Sequence, residues 1–182
     1  MRDQLNRDHL AQEIERVEDE VAEAEQERDE AMDSLSDSSG GFGAYSSQAD
    51  LTDLQEELDT LTRLHENLNA EGADRYLLAL DPNDRGRAIV SNGNPDTADN
   101  VATLVPGTTT WQKIEDQMIR ADWLVESANN AAENDEHAVI SWIGYDAPNI
   151  AEAAGTQRAE GAVDELSRFL DGLRATHENT TQ

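Results

Sequence analysis

The side chains of this 182-residue chain that could do chemistry are forty Asp and Glu, four His and a scatter of Ser, with no Cys. Without Cys there is no disulfide, no thiolate metal site and no Cys nucleophile. His9, His65, His137 and His177 stand far apart, and none has a partner at the spacing of a metal site or a triad. No Gly-x-Ser-x-Gly occurs, and Ser38-Ser39-Gly40-Gly41 and Ser46-Ser47 fall in a Ser/Gly-rich stretch that reads as a link. The carboxylates of residues 13–30 lack the alternating ligands and central Gly of a calcium loop, so they read as a solvated helix face. No metal or cofactor is therefore expected. Two loops remain: Pro106-Gly107-Thr108 and Gly144-Tyr145-Asp146-Ala147-Pro148, each following a short apolar run. The C-terminal edge of strands is where ligands bind in open α/β sheets, so Asp146 could line a pocket. Capping the next helix is the more common role for such an Asp, and a Pro-Gly after a strand, read alone, is a turn.

The elements that would position these loops follow from hydrophobic period. From residue 5 to 35 the apolar positions Leu5, Leu10, Ile14, Val17 and Val21 recur at helical spacing among carboxylates. A second seam runs through Leu51, Leu54, Leu58, Leu61, Leu64 and Leu68, with Asp50 placed as its N-cap. Two such narrow stripes need a partner, and the simplest is each other. The expectation is a domain of residues 1–70, an acidic antiparallel helical hairpin with its link at 36–50. After residue 70 the period changes. Runs at 76–80 and 87–90 flank the turn formers Pro82-Asn83-Asp84-Arg85-Gly86 and read as a β-hairpin. Residues 101–105 form a third strand, and Trp111, Ile114, Met118, Ala121 and Val125 mark a helix. Residues 137–144, apolar on both faces, read as a buried strand, and Leu166, Phe169, Leu170 and Leu173 mark a last helix. The fold class is α/β: a helical hairpin, then a β-hairpin and β-α-β-α over 71–182. That series calls for another strand beyond its last helix.

The net charge of -27 repels phosphate backbones and anionic lipid, so neither nucleic acid nor a membrane surface is expected as a partner. The N-terminus is too polar for a signal peptide and no apolar run reaches membrane-spanning length, which makes the cytoplasm the default, with signal-independent export left open. Lys113 is the lone lysine; a high-GC genome is the leading explanation and adaptation to salt the second.

At YLLALDPNDRGRAIVSNGNPDTADNVATLVPGTTT, VISWIGYDAP and FLDGLRATH the sequence resembles an actinobacterial α/β-hydrolase domain family of uncharacterised function. The resemblance spans about residues 75–177. It implies a serine hydrolase acting on an ester or related acyl compound, with a Gly-His-Ser-Tyr-Gly nucleophile elbow on the next strand. It also implies that Gly107 and Thr108 form the oxyanion-hole loop, the Thr108 N–H being the donor. In this fold the acid and His follow the Ser in chain order, so all three catalytic residues are expected beyond residue 182, and Asp146 is not the triad acid. The polypeptide alone is expected to be inactive, and a truncated or split coding sequence is expected in preference to a complete small protein. The usual strand order, 1-2-4-3-5, would leave residues 101–105 as an open apolar edge. The alternative is a non-catalytic interaction protein whose hairpin, residues 3–70, binds helical partners beside a degenerate hydrolase remnant.

Overall fold

The computed structural model describes residues 2–34, 41–81, 87–105, 114–132, 135–143 and 157–178. Two long helices, α1 (Arg2–Ser34) and α2 (Gly41–Leu68), come first. They are followed by β1 (Arg75–Asp81), β2 (Arg87–Asn92), β3 (Asn100–Leu104), α3 (Ile114–Ala131), β4 (His137–Ile143) and α4 (Gln157–Glu178). This is the expected order, and the class is α/β.

The helices run antiparallel: Arg7 reaches the Leu68 carbonyl at 3.2 Å, and Arg16 reaches Glu57 at 3.2 Å. Two differences from the sequence expectation stand out. The second helix begins at Gly41, so Asp50 lies inside it and is not its N-cap. Once Leu51–Leu68 is fixed by packing, each further residue needs only propagation, which Ala44, Gln48 and Ala49 allow at little cost. The hydroxyl of Thr52 donates to the Gln48 carbonyl at 2.8 Å, one helical turn back. The other difference is Leu5, which is 62% exposed, so the inward face of the first turns carries Asp3, Asn6 and Arg7 instead.

Those three polar residues meet the outer edge of β1. Asp3 accepts from the Leu77 N–H at 2.6 Å, and Asn6 donates to the Leu77 carbonyl at 2.7 Å. Arg7 binds Asp3 through Nε at 2.9 Å and donates to the Arg75 carbonyl at 2.7 Å. Side chains of α1 thus supply the hydrogen bonds that a neighbouring strand would give.

The sheet has the order β1-β2-β4-β3. β1 and β2 pair antiparallel, with Leu78 as an extra residue at a bulge; β2 and β4 pair antiparallel, and β3 and β4 pair parallel. Among the described strands, β3 pairs with β4 alone, so its other edge is open. Alternation then sorts the side chains. Leu77, Val90 and Ile143 join Leu10, Leu64 and Met118 in a core under α1, α2 and α3. Ile89, Ile140 and Trp142 face the other way, onto Leu166, Phe169 and Leu173 of α4. The hairpin and the sheet thereby share one core, and burying a Leu there contributes about 1.5–3 kcal/mol.

Candidate functional site

The parallel strands fix the edge at which chemistry is expected. Leu104 and Ser141 are register partners, so β3 and β4 run out side by side, and the chain leaves both toward one edge. Residues 106–113 follow β3 and residues 144–156 follow β4. Gly107, Thr108 and Asp146 belong to these segments and lie outside the described residues.

The described residues on either side of segment 106–113 are firmly packed. Ahead of it, the β3 backbone is paired with β4; behind it, Ile114 is 2% exposed in the hairpin-side core. The hydroxyl of Ser141, 1% exposed, donates to the Gln117 carbonyl at 3.2 Å and fastens the first turns of α3 to β4.

The opposite edge carries a different arrangement, which the sequence reading missed. Arg75, at the start of β1, donates to Asp122 of α3 at 2.5 Å and to the Asn67 carbonyl at the end of α2 at 2.6 Å. The Asn92 amide, at the end of β2, donates to Asp122 and to the Met118 carbonyl. One carboxylate thus ties hairpin, sheet and α3 together. These residues border a polar cleft of about 980 Å³ that also takes in His137 and Glu136. His137 opens β4 at this edge, as expected, with its Nδ1 3.0 Å from the Asn129 side-chain oxygen. Both Asp122 oxygens are engaged by donors, so the network reads as a fastening and offers no free base. Partners 47 residues apart leave no local signal in the sequence.

Shifted protonation among the described residues also lies away from the β3/β4 loop edge. The guanidinium of Arg16 is raised by its hydrogen bonds to Glu13 and Glu20. The hydroxyl of Tyr76 is raised by its hydrogen bond to Asp74 and by burial. No cluster of three or more His, Cys, Asp or Glu that could hold a metal occurs among the described residues. No helix among them is long and apolar enough to cross a membrane.

With this geometry in hand, comparison with known proteins is informative. The profile of a family described as alpha/beta hydrolase matches residues 81–182, more than half of the chain. The chain belongs to the α/β-hydrolase family. The matched part takes in β2, β3, α3, β4 and α4, with the mixed sheet pairing described above. Two relatives, described only as uncharacterized proteins of two Mycobacterium tuberculosis strains, are each 40% identical over 114 residues. Those matches cover 56% of this chain and 17% of either relative, so the α/β-hydrolase chain here spans about a sixth of their length. No solved structure matches.

Proposed function

We propose that these residues are the N-terminal part of a serine-type acyl hydrolase that cleaves an ester or a related acyl compound. The observation that carries the proposal is the sheet order β1-β2-β4-β3, with β3 at an open edge, in a chain that belongs to the α/β-hydrolase family. In this arrangement the β3–α3 segment supplies the oxyanion-hole donor, through Gly107 and the Thr108 N–H. The nucleophile comes from a strand that adjoins β3, with the acid and His after it in chain order, since residues 1–182 hold no Gly-x-Ser-x-Gly. Asp146, following β4 at the same edge, is assigned to the pocket rim.

The test joins this chain to the segment that follows the matched region in the M. tuberculosis relatives and follows hydrolysis of short p-nitrophenyl esters. Thr108→Pro removes one backbone N–H, and kcat is expected to fall by about 10²–10³ with KM little changed. An unchanged kcat would overturn the oxyanion assignment. A fluorophosphonate probe should leave the 182-residue chain unlabelled; stoichiometric labelling would place a nucleophile where none is proposed.

A further inference from the structure

The pairing of arginines singles out one groove. Among the residues whose side chains are described, Arg2, Arg120 and Arg168 are the arginines without an ion pair to a described carboxylate, in a chain of net charge -27. Two of those three, Arg2 and Arg168, line the same cavity of about 770 Å³. It lies between α4 and the outer face of β1 and β2, and the first turn of α1 and Pro95 also line it. Its walls include Leu78 and Ile89 from the sheet and Phe169 and Leu173 from α4; Ile89 is buried and the other three are only partly buried.

Two carboxylates also line it. Asp3 is spent on the Arg7 guanidinium and the Leu77 N–H, which leaves Asp96. The Arg168 Nε donates to the Asp164 carbonyl of its own helix at 3.1 Å, and its terminal nitrogens remain. Two guanidiniums against one uncommitted carboxylate make a local cationic rim on an apolar groove, inside a strongly anionic molecule. The volume is within the usual range for small-molecule sites, about 300–1,000 Å³.

We infer that this groove binds a single-chain amphiphile with a carboxylate head, the alkyl chain lying between α4 and the sheet and the head meeting Arg2 and Arg168. The site is remote from the β3/β4 loop edge and stands independently of the hydrolase proposal.

Gly172 gives a clean test. It lines the groove from α4, and a Cβ added there would meet nothing within 4 Å. Gly172→Leu therefore adds bulk at the groove wall with no clash at its Cβ, and favours the helix. Binding of dodecanoate and of dodecyltrimethylammonium to the full chain is measured by calorimetry, below their micellar concentrations. Net charge alone predicts that the cation binds better; the groove predicts dodecanoate, saturably, at least tenfold tighter. Gly172→Leu should abolish that binding, and the surface variant Arg168→Glu should weaken it at least fivefold. Preference for the cation, or dodecanoate binding unaltered in both variants, would overturn the inference. So would sedimentation showing that a second copy fills the groove, as a dimer that Gly172→Leu dissociates.

Discussion

Gly93 shows how a single residue is dictated by the meeting of two strands. It follows β2 with φ of 85°, its N–H donates to the Asp74 carbonyl at 2.7 Å, and an added Cβ would stand 2.5 Å from the His137 carbonyl oxygen. The close neighbours are the His137 and Ala138 backbone of β4, which cannot yield cheaply, and a left-handed φ adds strain for any other residue. Gly93→Ala is expected to lower unfolding free energy by about 1–3 kcal/mol, read as a reduced urea midpoint at constant slope. Asn92 and Arg75 beside it were not legible as a unit, because their common partner Asp122 lies on a helix far along the chain. Gly107, Thr108 and Asp146 were singled out through the apolar runs before them and the family resemblance; the runs prove to be β3 and β4, while the three residues themselves lie outside the described ones.

At the scale of elements, the order of helices and strands was readable because the hydrophobic period changes once, near residue 75, where β1 begins. The start of α2 was not, since Ser and Gly mark a link by composition while helix growth from a packed seam overrides them. Nor was the role of the first turn of α1. Its polar residues look like part of a solvated face, yet Asp3 and Asn6 take both backbone groups of Leu77. Removing them exposes a strand edge inside an otherwise finished contact. Asn6→Ala is expected to cost about 1–2 kcal/mol, and Asp3→Ala more, because it also releases Arg7. Hydrogen exchange should report it locally: the Leu77 amide loses protection in Asp3→Ala while the β2/β4 amides keep theirs. Equal loss everywhere would mean that α1 merely contributes to global stability.

Taken as a whole, the molecule joins an acidic hairpin to a sheet through one core, so the hairpin is a wall of the fold on the side away from α4. The two outer strands of that sheet have been treated unequally. β1 is sealed by α1, whereas β3 has a partner on one side among the described strands. In the language of polymers, the described strands make each chain a unit of valency one. Filaments of cross-strand type need two free ends per unit, one to accept and one to offer. Copies that meet through their sheets can therefore join β3 to β3 about a twofold axis and then stop, capped by α1 at both outer ends. Light scattering of concentrated protein in high salt, where repulsion between chains of net charge -27 is screened, should plateau at the mass of two chains. Asp3→Ala, by unsealing the second end, should let it climb.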